Sequence, residues 1–254
     1  MGIGWPLIVL SVFVTWIASL LKIFIGSAPT SFLSGDKENV LLVTAHPDDE
    51  SMFFAPTINY LLSRGHNLHI LCLSIGNADG LGDIRREEFY KACSVLRIPL
   101  DQVQIIDHPD LQDGFGRVWN HNLVANMIKD VTSHRMIDTV ITFDQYGVSG
   151  HCNHRDVHFG VRKVLLDNDS NKPINGWEIV STNILRKYSG PMDIWFANLS
   201  AMRLNNEKIH IVLNKDPLKS FSAMAEHSSQ WVWFRKLFVL LSSYSYANTL
   251  KRIC

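Results

Sequence analysis

The chain has 254 residues, enough for one sizeable α/β domain with its own core. Its 24 Lys and Arg balance 24 Asp and Glu, which leaves no electrostatic basis for a nucleic-acid groove. Cys72, Cys93, Cys152 and Cys254 form no CxxC pair, which argues against a disulfide framework or a thiolate zinc knot and fits a reducing compartment.

From Trp5 to Ile25 the chain is apolar except for Ser11, Thr15, Ser19 and Lys22. At about 1.5 Å per residue, such a helix crosses a hydrocarbon core of roughly 30 Å. A cleaved signal peptide is the competing reading, but the segment lacks a basic leader and its apolar run is longer than signal peptides need. Residues 1–26 are therefore expected to form a transmembrane anchor. Lys22 and Lys37 follow the span and no Lys or Arg precedes it, so the positive-inside bias favours a cytosolic domain. Two glycosylation sequons, Asn168-Asp169-Ser170 and Asn198-Leu199-Ser200, speak for the lumenal side instead. Residues 27–38 read as a polar linker and residues 39–254 as the folded domain.

After the linker, strand-like runs alternate with helical patterns. Strands are expected at Val40–Thr44, His69–Ser74, Val103–Ile106 and Thr139–Phe143, separated by helices near residues 51–63, 84–97 and 118–133. Gly65 suits a helix C-cap and Pro99 closes the second helix. Beyond Gly150 the pattern loosens, with a helix near 155–166, strands near 178–183 and 209–213, and a helix near 217–226. The alternation predicts a Rossmann-like, mostly parallel sheet with helices on both faces. Ligands bind such sheets at the carboxyl ends of the strands. No GxGxxG opens the first helix and no GxxxxGK[ST] occurs, so nucleotide binding lacks support.

The chemistry gathers at that rim. Ala45-His46-Pro47-Asp48-Asp49-Glu50 follows the first strand, and His151-Cys152-Asn153-His154 comes roughly a hundred residues later. A His-Asp-Asp cluster answered by His-x-x-His can assemble a zinc site with one carboxylate left over as general base. Helix capping is the simpler use of either aspartate alone. Cys152 lies between the two histidines, but the set already supplies enough nitrogen and oxygen ligands. Arg85 either orients a polar substrate or pairs with Glu88 at i, i+3. Asp113 either binds hydroxyls or forms an Asp-Gly turn. His158 reads as an ordinary buried or supporting histidine. The segment 231–241 mixes aromatic and aliphatic bulk with Arg235 and Lys236, so it either lies at a membrane interface or packs into the core.

Ala-His-Pro-Asp-Asp-Glu, Arg85-x-x-Glu88-x-x-x-Ala92, Asp113-Gly114, Gly150-His151-x-x-His154, and Lys219 with His227-Ser228-Ser229-Gln230 together resemble the zinc-dependent de-N-acetylases of N-acetylglucosamine conjugates. The resemblance spans about residues 38–250. It implies that His46, Asp49 and His154 hold zinc, that Asp48 is the general base, and that a protonated His151 stabilises the transition state. It further implies Arg85 and Asp113 as substrate contacts. With the hydrophobic N-terminus, it implies the lipid-linked sugar N-acetylglucosaminyl-phosphatidylinositol as substrate and the endoplasmic-reticulum membrane as location. The rivals are a deacetylase of another N-acetylglucosamine conjugate and a noncatalytic sugar-binding module. A His-His-Asp site also accepts divalent ions other than zinc.

Overall fold

A computed structural model of the chain describes residues 4–26, 32–33, 35–167, 173–203 and 209–253. Helix α1 (Gly4–Ile25) is followed by β1 (Asn39–Thr44), α2 (Asp49–Met52), α3 (Ala55–Arg64), β2 (Asn67–Cys72), α4 (Gly82–Val95) and β3 (Val103–Ile105). Then come α5 (His121–His134), β4 (Thr139–Phe143), α6 (Gly147–Gly150), α7 (Cys152–Leu166), β5 (Asn175–Ile179), α8 (Ile184–Lys187) and α9 (Asp193–Arg203). The last elements are β6 (Ile209–Leu213), α10 (Pro217–Glu226), α11 (Trp233–Leu241) and β7 (Ala247–Arg252). The linker expected at 27–38 lies partly outside the described residues, and the sequon at Asn168 lies wholly outside them.

The strands form one sheet in the order β3-β2-β1-β4-β5-β7-β6. The first five run parallel, and β7 is antiparallel to both its neighbours. Because β1 is flanked by strands and covered on both faces, it reads as a continuous apolar run, not an alternating one. Its Val40 and Leu42 pack with Phe54, Ile58 and Phe89 on one face; Leu41 and Val43 pack with Val124, Ile128 and Val157 on the other. Each buried aliphatic contributes roughly 2 kcal/mol. A slip of one residue would exchange the two faces, so burial fixes the register.

The expected helix over 51–63 is broken after Met52. A second helix starts at Ala55, with Pro56 in its first turn, where a missing N–H costs no hydrogen bond. Helix α7 starts at Cys152, ahead of the expected Arg155, and β5 ends at Ile179 where the sequence pattern continued to 183. Strand β7 carries no apolar alternation. Its Asn248 is nevertheless fully buried, accepting from the Thr57 N–H and hydroxyl at 3.2 and 2.7 Å and donating to the Phe53 carbonyl at 2.9 Å.

Helix α1 leans on the domain with its second half. Trp16, Ser19, Leu20 and Ile23 fall at helical spacing on one stripe, and Ile23 is buried against Ile194 and Ala197 of α9. Trp195 donates its indole N–H to Ser19 Oγ at 2.9 Å, and Lys215 Nζ donates to the Ile23 carbonyl at 2.6 Å. The lysine thus satisfies carbonyls that the helix end leaves open. The first half of α1, from Trp5 to Thr15, is exposed.

Candidate active site and metal centre

Pro47 interrupts the chain just past β1, and Asp48 adopts φ 113°, a left-handed conformation uncommon for a residue with a side chain. That turn separates the neighbouring carboxylates. Asp49 Oδ2 accepts from the Ala45 and His46 N–H groups at 3.0 and 2.8 Å, while Oδ1 lies 3.2 Å from His154 Nε2. Asp48 faces the other way, toward Arg235 and, at 3.9 Å, Arg85. It makes no side-chain cap to α2, so capping is not its use. Glu50 is buried behind the pair, bonded to the Asp48 N–H at 3.0 Å and to His227 Nε2 at 2.7 Å.

The second half of the site hangs from β4. Asp144 Oδ1 accepts from the Tyr146 and Gly147 N–H groups and from the Ser181 hydroxyl at 3.0, 3.1 and 2.6 Å, anchoring the loop that leads to His151. Val148 in that loop is a second left-handed residue, at φ 61°. His154 sits in the first turn of α7, stacked on Phe143 at 4.0 Å. Its Nδ1 is 3.1 Å from the Gly147 carbonyl, a contact that puts the proton on Nδ1 and leaves the Nε2 lone pair toward Asp49. His46 is held through Nε2, 3.1 Å from Asp113 Oδ1 and 3.1 Å from Asn153 Oδ1, with Nδ1 3.9 Å from Asp49 Oδ2.

Two overlapping donor sets result. His46, His151 and His154 offer nitrogens within 4.8 Å of one another, and Asp49 joins His46 and His154 from below. Ligands of a tetrahedral zinc lie about 3.3 Å apart, a spacing the Asp49–His154 pair already has. Each shared histidine is fixed through its other nitrogen, as metal-binding histidines are. The residues therefore fit a divalent metal. His151 is looser: its Nδ1 is buried without a hydrogen-bond partner among the described residues, and its ring lies 4.8 Å from His46 and 4.9 Å from Phe115.

Electrostatics follow this geometry. Burial works to raise the Asp49 carboxyl, but His154 and His46 outweigh it and hold it well below the usual carboxylate range. Asp113 is drawn down to about 2, burial being overcome by His46 and Arg85. Burial, reinforced by His46 and His154, pulls His151 down to about 4. Burial and the two neighbouring imidazoles thus favour the neutral ring of His151, where the resemblance implies a protonated one.

The seven residues given metal, catalytic or substrate roles from the sequence line one cleft of about 400 Å³: His46, Asp48, Asp49, Arg85, Asp113, His151 and His154. Arg85 does not pair with Glu88. It donates to the Gly76 and Pro47 carbonyls at 2.8 and 2.9 Å and to Asp113 Oδ2 at 3.2 Å, whereas Glu88 accepts from Ser228 and Ser229. Lys219 borders a different cavity, and His158 lies 3.3 Å from Glu178 on the sheet. The residue the sequence reading left out is Arg235, which reaches into the cleft from α11. Its signal was present as one of two adjacent charges, with Lys236, inside an apolar run.

A structure of N,N'-diacetylchitobiose deacetylase from Pyrococcus horikoshii shares this fold, with a TM-score of 0.62 and 17% identity over 95% of this chain and 92% of that one. So does a 4-carboxy-2-hydroxymuconate hydratase from Pseudomonas putida, with a TM-score of 0.58 and 14% identity over 85% and 96%. The fold alone thus hosts more than one reaction. Fold, donor set and sequence relatives together define an amide-hydrolysing α/β enzyme. A family model for GlcNAc-PI de-N-acetylase matches residues 41–165. The N-acetylglucosaminyl-phosphatidylinositol de-N-acetylase of Bos taurus is 37% identical over 86% of this chain and 85% of its own length. The chain belongs to the GlcNAc-PI de-N-acetylase family.

Proposed function

We propose that the protein hydrolyses the acetamide of N-acetylglucosaminyl-phosphatidylinositol to acetate and glucosaminyl-phosphatidylinositol, a step of glycosylphosphatidylinositol-anchor biosynthesis. It works from the endoplasmic-reticulum membrane, held by α1 as a single span with residues 39–254 on the cytosolic side. One observation carries the chemistry: the left-handed turn at Asp48 sends one carboxylate to the His46 and His154 nitrogens and its neighbour into the cleft.

In this reading His46, Asp49 and His154 hold the metal, zinc by preference of the donor set, with other divalent ions admissible. A zinc bound there would supply polarisation of the acetamide carbonyl and a lowered pKa for a bound water. Asp48 takes a proton from the attacking water as the water oxygen adds to the acetamide carbon. It returns the proton to nitrogen as the C–N bond breaks, because an amide anion is too poor a leaving group. A neutral His151 donates its ring N–H to the carbonyl oxygen as negative charge grows there. Asp113 meets His46 with one oxygen and Arg85 with the other, so we assign it to orienting His46, with its remaining lone pairs open to a sugar hydroxyl in the cleft. Arg85 acts through Asp113 and the Pro47 carbonyl.

The test is acetate release by the detergent-solubilised protein from N-acetylglucosaminyl-phosphatidylinositol, with and without chelator. Metal-dependent release is the expected result. Binding of the lipid without acetate would leave a sugar-binding module.

A further inference from the structure

The anchor is not joined to the domain by its end alone. Trp16 meets Tyr246 edge-on at 6.4 Å, and a Cβ placed on Gly190 would lie 3.2 Å from Trp16 Nε1 and 3.6 Å from the Leu241 carbonyl oxygen. Gly190, in the turn before α9, therefore sits between Trp16 of α1 and the carboxyl end of α11, at a level about 14 Å along the helix from Ile25. A span from Trp5 to Ile25 is about 31 Å long and only just crosses a core of about 30 Å. If it spans, the half from Trp16 to Ile25 lies in lipid, and whatever packs on that half is carried to the same depth.

The elements at that depth turn apolar side chains outward. On α11, Phe238 and Val239 face the core and Arg235 the cleft, while Trp233, Leu237 and Leu240 are exposed. On α9, Ile194, Ala197 and Ala201 are buried and Phe196, Leu199 and Met202 are exposed, Met202 at 81%. Leu185 of α8 is 82% exposed. Apolar surface of this extent, continuous with a membrane helix, matches a lipid surface and not a watery one. Lys22 stands over the Trp195 ring at 4.2 Å, with a stem long enough to carry its charge toward the headgroups.

We infer that the domain is partly embedded: the outward faces of α8, α9 and α11 enter the same lipid leaflet as the second half of α1, leaving α11 as the wall between lipid and cleft. The inference rests on the proposed spanning role of α1. Its consequence is that the substrate's sugar reaches the cleft past Arg235 while its acyl chains stay beside α11, without extraction from the bilayer.

The experiment uses the full chain in phospholipid nanodiscs, with nitroxide labels placed singly at Leu10, Leu240, Met202 and Leu100, in a Cys152→Ser, Cys254→Ser background. Leu100 lies beside β3, at the sheet edge opposite β6, and serves as the aqueous reference. Relative accessibility to oxygen and to a nickel chelate reads immersion at each position. Leu10, Leu240 and Met202 are expected to favour oxygen several-fold over Leu100. Aqueous values at Leu240 and Met202 with a lipidic Leu10 would overturn the embedding and leave the anchor standing. An aqueous Leu10 would remove the anchor and the embedding with it. Leu237 and Leu199 serve as replacement positions should either label disturb folding.

Discussion

The carboxylate of Asp48 is paired with the guanidinium of Arg235, a residue 187 positions further along the chain. Gln230 Oε1 accepts from the same guanidinium nitrogen at 3.1 Å. The pair fixes a carboxylate that stands on a left-handed backbone, so Arg235 is a positioning residue for the proposed base.

Replacing it tests that role. Arg235→Met is expected to lower kcat by about a hundredfold, the usual cost of a misplaced reacting group, with KM changed far less. Arg235→Lys keeps the charge and loses the fork, and is expected to recover part of the rate. A loss in KM alone would place Arg235 in lipid binding and not in control of Asp48.

The adjacent aspartates separate by metal content. Asp48→Asn is expected to keep metal while hydrolysis falls about a hundredfold or more, as for a lost general base. Asp49→Asn is expected to weaken metal affinity first, with activity partly restored by excess metal. Measured by elemental analysis on variants that melt cooperatively, the opposite pattern would exchange the two roles.

The two donor sets differ in their third member, and the histidine pair decides between them. With Asp49 as ligand, His154→Ala strips metal whereas His151→Ala keeps it near stoichiometric and slows turnover by about a hundred- to a thousandfold. Equal metal loss in both variants would mean that the three histidines are the binding set.

Much of this was legible beforehand because it is local. Val40–Thr44 has to be a central strand, and a His-Pro-Asp-Asp sequence leaving it falls at the rim where parallel sheets bind ligands. What stayed hidden depends on long-range pairing. Asn248 lies in a strand only because Thr57 and Phe53 satisfy its amide, and Arg235 belongs to the cleft only because α11 folds back over Asp48. The sequon at Asn198 changes meaning too: it lies within α9, with Leu199 on the outward face, so absence of glycan there would not report which side of the membrane the domain occupies.

Stability is expected to depend on Glu178. Burial, with Asp144 nearby, pushes its carboxyl from 4.5 up to about 7. Between those values the folded protein holds a proton that the unfolded chain has released. Stability is therefore complete below the lower value and declines as pH rises through the higher one. Melting curves between about pH 5 and pH 8 should show this decline, and Glu178→Gln should flatten it. An unchanged slope in the variant would assign the decline to another group.

The buried contact between Glu50 and His227 sets a limit on how the chain can be cut. Both side chains are fully buried, and leaving such a carboxylate without its partner costs about 3–5 kcal/mol. The segment that matches the family, residues 41–165, holds Glu50 but stops well short of His227 and Arg235. A fragment trimmed to that segment would carry the His-Pro-Asp-Asp and His-x-x-His motifs and still lack one wall of the cleft, so for protein engineering the smallest transplantable unit extends at least through α11.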